Sequence, residues 1–246
     1  SGNTEKLSEN IFHAGQSNDI LDVIKELIYK DKIKKIGIIG SGMVGQILAM
    51  GFLKSGYEVK IGTRDSSKLN EWLGKAGVNA SVGSFKEAAK FGKLIVLCTK
   101  WTGTKEAIKL ASKRYFKGKI VIDVTNPLMF EKEGEMPKLA VWYPKSAGAT
   151  VQKWLPKSKV VKAFNIANAS YMTNPSLQEG KPDMFIAGND KEAKHEVKKI
   201  AEGWGWDVND LGSIEQSYLL ESLAMVWITY GFMNNQWTHA FKLLKK

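Results

Sequence analysis

Three glycines between Gly40 and Gly45 mark the place in this chain where a phosphate could bind. They follow an apolar run that ends at Ile39, and apolar residues at helical spacing follow them, so the order strand, tight turn, helix is predicted. In such a turn Gly40 permits the bend, Gly42 lets the backbone approach a pyrophosphate, and Gly45 allows close packing of helix and strand. The unpaired N–H groups and the positive dipole end of the helix would hold the phosphates. Together these features favour nucleotide binding over an ordinary turn.

Thr63 and Arg64 decide which dinucleotide is expected. They follow a second predicted strand, 58–62, at the place where an NAD-binding chain carries Asp or Glu for the ribose hydroxyls. A hydroxyl and a guanidinium suit a 2′-phosphate instead, and Lys68 could add a second positive charge. Asp65 leaves an NAD-type role open, although its position before two serines favours a helix cap. The sequence therefore favours NADP over NAD.

The elements that must position these residues alternate along the chain. Strands are predicted to end at Ile39 and to lie at 58–62, 79–82, 94–98 and 119–123, and helices are predicted from near Met43, from Ser84 and over 104–113. Buried strands alternating with helices indicate a Rossmann-like α/β fold, a doubly wound and mostly parallel sheet.

Ligands of such sheets bind at the carboxyl ends of the strands. That rule selects Thr99, Lys100 and Trp101 after one strand, and 124–128 after another. Trp101 could lie against the nicotinamide half of a cofactor, or it could be plain packing. Cys98 lies inside an apolar strand, where burial would make it unreactive.

A smaller C-terminal α/β region is predicted from about Gly148. Its strands are expected at 160–164, 183–187 and 206–209, with a helix over 190–202 and one or two terminal helices over 216–244. The apolar side of the terminal helices is either core or a homodimer contact. We accordingly expect a helical extension at 1–32, an NADP-binding domain at 33–147 and the C-terminal region at 148–246. The extension's amphipathic helix could pack on the sheet or on a second subunit.

Composition limits the class of protein. The 246 residues are 43% hydrophobic, enough for a full core, and carry a net charge of +11. The lysines are scattered, which favours a solvated surface over polyanion binding or steering of phosphorylated cofactors, so no specific nucleic-acid binding is expected. A single cysteine excludes an internal disulfide and suggests a reducing, cytoplasmic location. The apolar stretch 218–233 contains Glu221 and is more typical of a buried helix than of a membrane span.

Conventional catalytic groups are missing from the sequence. The three histidines are widely separated, so no metal site is expected, and no Gly-x-Ser-x-Gly elbow occurs. No catalytic residue is assigned. This pattern suits direct hydride transfer between two organic rings, in which the protein chiefly positions the reacting carbons and excludes water.

Several motifs together resemble the coenzyme F420-dependent NADP reductase family. They are Gly40-Ser41-Gly42-Met43-Val44-Gly45, Gly62-Thr63-Arg64, Asp123-Val124-Thr125-Asn126-Pro127-Leu128 and Val161-Lys162-Ala163-Phe164-Asn165. Later landmarks follow at 185–194 and 219–223, so the resemblance spans roughly residues 34 to 230. Similar domains form the NADPH-binding part of six-transmembrane ferric reductases, and we expect no such membrane part here.

The resemblance implies roles for individual residues. Ser41, Gly42, Met43 and Val44 would surround the phosphates, Thr63, Arg64 and Lys68 the 2′-phosphate, and Thr99 to Trp101 the nicotinamide half. A deazaflavin would stack on the nicotinamide in a cleft beside the C-terminal region. Its expected neighbours are Asn126, Pro127, Leu128, Asn165, Ala167, Asn168 and Leu219.

The leading hypothesis is therefore an NADP-dependent oxidoreductase that transfers a hydride between NADPH and F420 or a flavin such as FMN or FAD. Two alternatives stay open. One is reduction of another small substrate, such as an imine, a quinone or a hydroxy acid, and the aromatic residues Trp101, Trp142 and Tyr143 would suit several of these. The other is a non-catalytic NADP sensor, which fold analogy does not exclude.

Overall fold

The apolar runs of the sequence form one sheet. The computed structural model describes residues 34–132 and 134–244, so the predicted extension at 1–32 lies outside the described residues. The strands, in chain order and with a short hairpin as β6 and β7, are β1 Lys35–Ile39, β2 Glu58–Gly62, β3 Ala80–Gly83, β4 Leu94–Leu97, β5 Ile120–Asp123, β6 Leu128–Met129, β7 Lys138–Leu139, β8 Lys159–Lys162, β9 Asp183–Gly188 and β10 Asp207–Asp210.

The order of the strands confirms the predicted fold class. The sheet runs β10-β9-β8-β5-β4-β1-β2-β3, and its part from β8 to β3 is parallel throughout. Within the described sheet, the first strand, β1, lies in the middle, and the later strands extend first to one edge and then to the other, as in a doubly wound fold. β9 joins β8 antiparallel, with Val161 opposite Gly188, and β10 returns parallel to β9. Strands from both sides of the predicted boundary at 147 and 148 thus share one sheet.

Seven α-helices lie between and after the strands in the part of the chain that the structure describes. They are α1 Met43–Lys54, α2 Asn70–Ala76, α3 Phe85–Phe91, α4 Trp101–Ala111, α5 Ala147–Trp154, α6 Lys191–Gly203 and α7 Ser217–Asn234. Side chains fix several starts: Ser84 and Glu87 form a reciprocal capping box on α3, and Asp190 accepts from the Ala193 N–H on α6.

The prediction of helix over 216–244 was wrong beyond Asn234. Asn235 adopts a left-handed conformation with φ of 47°, which ends α7. The chain then runs back to the sheet, where the Asp183 N–H donates to the carbonyl of Phe241 at 2.9 Å. The Asp183 carboxylate in turn accepts from the Leu243 N–H at 2.6 Å. Phe241 and Leu243 are therefore held by the first residue of β9 instead of extending a helix.

The core lies on both faces of the central strands. Every residue of β4 and β5 is buried, as expected of parallel strands covered by helices on both sides. One cluster of buried side chains joins β4 and β5 to α3, α4 and α5 through residues such as Ala88, Leu97, Ile108 and Val151. This rigid centre places the carboxyl ends of β1, β4 and β5 side by side at one edge.

None of the helices within 34–132 and 134–244 is both long and apolar enough to span a membrane.

Candidate functional site

Close backbone contacts in the turn after β1 require glycine at two of its positions. Gly40 has φ of 128°, and a Cβ there would lie 2.7 Å from the carbonyl oxygen of Cys98. A Cβ on Gly45 would lie only 2.1 Å from the carbonyl oxygen of Gly40, so α1 packs too close to the turn for any side chain. Gly42 differs, because no atom lies within 4 Å of the place where its Cβ would be. The turn is closed beneath Gly40 and Gly45 and open at Gly42.

The start of α1 offers donors to an anion. Within α1, the first backbone N–H with an acceptor among the described residues belongs to Gln46, which donates to the Gly42 carbonyl at 3.0 Å. The N–H groups of Met43, Val44 and Gly45 precede it and are among the unpaired donors of the helix start. The first turn holds no acidic residue that would repel an anion. Open space at Gly42 and free N–H groups beside it fit the pyrophosphate of a dinucleotide.

Thr63 joins the end of β2 to the glycine turn. Its hydroxyl lies 3.0 Å from the Ser41 hydroxyl, donates to the Asp65 carbonyl at 3.1 Å and accepts from the Asp65 N–H at 3.2 Å. Thr63 is buried, with 8% of its surface exposed. The structure thus brings two predicted phosphate-site residues together, and the Thr63 hydroxyl is already engaged in shaping the loop.

Asp65 is a helix cap, as the sequence favoured. Its carboxylate accepts from the Ser67 N–H at 3.1 Å and from the Ser67 hydroxyl at 2.6 Å, which caps a short 3₁₀ turn over Ser66–Leu69. These hydrogen bonds, with a smaller contribution from Lys68, hold the pKa of the carboxyl below its usual value. The Lys68 ammonium lies 3.8 Å from the Asp65 carboxylate. The acidic group of the loop is therefore occupied locally.

Arg64 lies exposed between Thr63 and this cap. Its guanidinium makes no hydrogen bond or ion pair with any of the residues the structure describes. A planar fork of donors on an exposed loop, next to the open end of the glycine turn, fits a phosphate on the adenosine ribose.

The residues after β4 are held by hydroxyl contacts and by ring stacking. The hydroxyls of Thr99 and Thr104 lie 2.8 Å apart, and Thr104 also donates to the Lys100 carbonyl at 3.1 Å. Lys100 itself is exposed. Trp101 begins α4 and stacks on Trp154, with ring centroids 5.4 Å apart and an angle of 18° between the planes. One face of the Trp101 ring is thus committed to packing.

Cys98 supports the glycine turn from below. Its sulfur lies 3.6 Å from the carbonyl oxygen of Ile39 and 3.7 Å from that of Gly40. Burial raises the pKa of the thiol to about 12, so it stays protonated at neutral pH. The structure agrees with the expectation that this cysteine is no nucleophile.

Asn126 and Asn165 meet where the loops after β5 and β8 converge. Asn126 donates to the Asn165 carbonyl at 2.7 Å, and the Asn165 amide donates to Asn126 Oδ1 at 2.9 Å and to the Leu220 carbonyl at 3.0 Å. Asn165 Oδ1 is buried and has no partner among the described residues. Asn126 is half-buried, so this amide pair has one side toward solvent and a spare acceptor within.

The other residues expected on the acceptor side have separate positions. The Pro127 carbonyl accepts from Ala140, and Leu128 begins the β6 and β7 hairpin. Asn168 caps a 3₁₀ turn by accepting from the Ser170 N–H at 2.9 Å, and neighbouring Ala167 is half-buried. Leu219 is exposed in the first turn of α7. The Leu128 N–H donates to the Asn126 carbonyl at 2.8 Å, but among the described acceptor-side residues only Asn126 and Asn165 have side chains that hydrogen-bond each other.

Sequence reasoning missed a group of buried charges beside these loops. Lys162 lies between Asp123 and Glu221, with Nζ–O distances of 3.0 and 3.2 Å, and no more than 1% of any of the three side chains is exposed. Burial alone would lower the pKa of Lys162, but the two carboxylates raise it above its ordinary value. The signal was present, because a charge inside an apolar strand requires a partner. Which residues supply that partner depends on the fold.

Comparison with known proteins identifies a family whose members are similar to this chain. The family model described as NADP oxidoreductase, coenzyme F420-dependent, matches residues 35–127. The F420-dependent NADP reductase of Methanocaldococcus jannaschii is 32% identical over 209 residues, which cover 79% of this chain and 91% of the relative. A crystal structure from Arthrobacter sp. FB24, described as an F420-dependent NADP-reductase, has a TM-score of 0.81 at 32% identity and covers 87% of this chain and 100% of that one.

The metalloreductase STEAP3 of Rattus norvegicus is 28% identical over 191 residues, 78% of this chain. The chain spans 36% of that relative's length.

Proposed function

This chain belongs to the family of F420-dependent NADP reductases, and on that premise we propose that it transfers a hydride between NADPH and a deazaflavin of the F420 type or a flavin. The coarser class, an NADP-dependent oxidoreductase, follows from membership of the family. The single observation that carries the cofactor assignment is the open glycine turn with exposed Arg64 beside it, where an NAD-binding chain would present an acidic side chain.

The chain's own residues have distinct tasks in this proposal. The N–H groups at the start of α1 bind the pyrophosphate, Arg64 and Lys68 bind the 2′-phosphate, and Thr63 fixes the loop that carries them. NADPH, when bound, supplies the hydride. The loops after β4 and β5 then orient the nicotinamide half and exclude water from it. Asn126 and Asn165 orient the acceptor ring by hydrogen bonds.

The buried charges argue against a reductase of ordinary carbonyls. Such an enzyme wants a proton donor at the nicotinamide. Asp123 and Lys162, the titratable groups at the carboxyl ends of β5 and β8, are fully buried and paired with each other. Direct transfer between two rings makes less demand on a protein donor and fits this site better.

The test is a turnover assay. Protein, NADPH and either F420 or FMN are mixed, and the nicotinamide absorbance is followed, with protein omitted as the control. Loss of absorbance that depends on the protein supports the proposal. Tight NADPH binding with no turnover on either ring would favour the sensor alternative instead.

We also propose that two copies pair through α7. The exposed apolar side chains Leu219, Val226, Tyr230 and Met233 recur at helical spacing along it. Glu221 is the only charged residue from Ser217 to Asn234, and it is buried. In a chain of net charge +11, an uncharged helix face is where a second copy could approach without repulsion. Light scattering should give a dimer mass, and a Val226→Lys variant should give a monomer of native circular dichroism. A wild-type monomer would refute the pairing.

A further inference from the structure

Three buried charges have no task in the hydride transfer proposed above. Besides its contacts with Asp123 and Glu221, Lys162 donates to the carbonyl of Thr125. We call Asp123, Lys162 and Glu221 the charge cluster. Buried ion pairs are weak evidence for stability, because well-packed apolar residues often serve as well. The role of the cluster is therefore to be found in the backbone groups that it holds in place.

The members of the charge cluster hold backbone groups next to the asparagine pair and at the start of α5. Asp123 accepts from the Thr125 N–H at 3.0 Å and from the Thr125 hydroxyl at 2.7 Å, one residue before Asn126. Glu221 accepts from the N–H groups of Ala147 and Gly148, at 2.9 and 3.0 Å, at the start of α5. The carbonyl of its neighbour Leu220 receives the Asn165 amide.

The backbone between Lys162 and Asn165 supports the same interpretation. Phe164 is a buried non-glycine residue with φ of 61°, in the left-handed region that side chains disfavour. Such a conformation persists when the surroundings hold both of its sides. Lys162 is held by the two carboxylates on one side, and Asn165 is held by Asn126 and Leu220 on the other.

We propose that the charge cluster is a positioning device for the Asn126–Asn165 pair, which it holds in the geometry that receives the acceptor ring. Lys162, Asp123 and Glu221 act through the two asparagines and do not touch the ring. The inference rests on the proposed hydride transfer, and it adds that the acceptor half of the site is set by charges buried behind it.

A double-mutant cycle tests this proposal. Glu221→Gln keeps the shape of the side chain, but Ala147 and Gly148 donate to different carboxylate oxygens, and one of these becomes an NH₂ group that cannot accept. The charge facing Lys162 is lost as well. Asn126→Ala removes the half-buried member of the asparagine pair. Glu202→Gln is the matched control, because it changes the same residue type in an exposed pair with Lys198 at 3.6 Å on α6.

We expect Glu221→Gln to lower kcat/KM for the ring acceptor about tenfold, and to cost little more in an Asn126→Ala background, because residues that act as one unit are not additive. NADPH affinity should stay within about twofold, since the glycine turn and Arg64 follow β1 and β2, away from the charge cluster, and Glu202→Gln should behave as wild type. Binding of F420 or FMN, followed by quenching of ring fluorescence, gives a second readout that needs no turnover.

Equal losses from Glu221→Gln in both backgrounds would overturn the inference, because they would reduce the cluster to a general contribution to stability. Asp123→Asn serves as the second variant if Glu221→Gln does not fold by circular dichroism. A wild-type protein that reduces the ring, with variants that bind and reduce it equally well, refutes the positioning role alone. A wild-type protein that neither binds nor reduces either ring refutes the proposed function and this inference with it.

Discussion

Replacement of Arg64 by alanine is the sharpest test of the cofactor assignment. The guanidinium is exposed and has no partner among the described residues, so its removal breaks no contact that holds the fold. In the complex it would make charge-assisted hydrogen bonds to the 2′-phosphate, which are worth about 1–3 kcal/mol in total. That range corresponds to a rise of about 5- to 150-fold in the Kd of NADPH.

The Arg64→Ala variant should distinguish the two coenzymes. NADH lacks the 2′-phosphate, so its affinity should barely change in the Arg64→Ala variant. Calorimetric titration of wild type and variant with both coenzymes at one low salt concentration measures the four constants, and the NADPH effect should shrink as salt screens the exposed pair.

Arg114→Ala is the matched control. Arg114 is also an exposed arginine, and it contacts Tyr115 after α4, on no loop assigned to the cofactor. The Arg114→Ala substitution removes the same charge from the molecule as Arg64→Ala, so any general electrostatic effect on the binding of anionic coenzymes appears in both variants. Equal losses for NADPH and NADH at Arg64, or equal effects of the two arginine variants, would refute the assignment.

Three further predictions follow from the same contacts. Gly45→Ala should destabilise the protein in thermal unfolding, because its Cβ would meet the Gly40 carbonyl at 2.1 Å. Gly42→Ala should fold normally and lose only affinity for NADPH, since its Cβ would stand in open space. Normal NADPH binding by Gly42→Ala would contradict the placement of the pyrophosphate. Lys162→Met should lower the free energy of unfolding, measured with urea, by about 3–5 kcal/mol, because it leaves two carboxylates buried without their partner. Lys75→Met, in an exposed pair, should lower it by less than about 1 kcal/mol, and similar losses in the two variants would contradict the burial of the pair. The pKa of the Cys98 thiol rises from 9.0 to about 12 on folding, so as the pH increases the thiol ionises in the unfolded chain before it ionises in the folded one. The free energy of unfolding should therefore fall above pH 9 by up to about 1.4 kcal/mol per pH unit. A Cys98→Ala variant with the same dependence on pH would contradict this.

Much of the fold could be predicted because its central strands are buried on both faces. Runs such as Leu94–Leu97 and Ile120–Asp123 are continuous and apolar, so their positions follow from the sequence alone. The β6 and β7 hairpin was not predicted, because Leu128–Met129 and Lys138–Leu139 are too short to show a pattern. The end of α7 was misjudged because the apolar residues continue past Asn235, whose left-handed backbone ends the helix.

The two halves of the candidate site differ in how far local sequence determines them. The cofactor half is built from backbone within a few residues: a turn that tolerates only glycine at Gly40 and Gly45, and the N–H groups of the helix that follows. Such a site can be read from spacing, because the physics that forms it is local.

The proposed acceptor half is built from contacts between distant parts of the chain. Asn126 reaches Asn165, and Lys162 reaches Glu221, only because β5 and β8 are neighbours and α7 packs against their ends. No spacing rule encodes those pairings, since each depends on the finished sheet. Residues held in this way can change together without disturbing the glycine turn. The same cofactor half can therefore serve different acceptors, and we expect the loops around Asn126 to select among them.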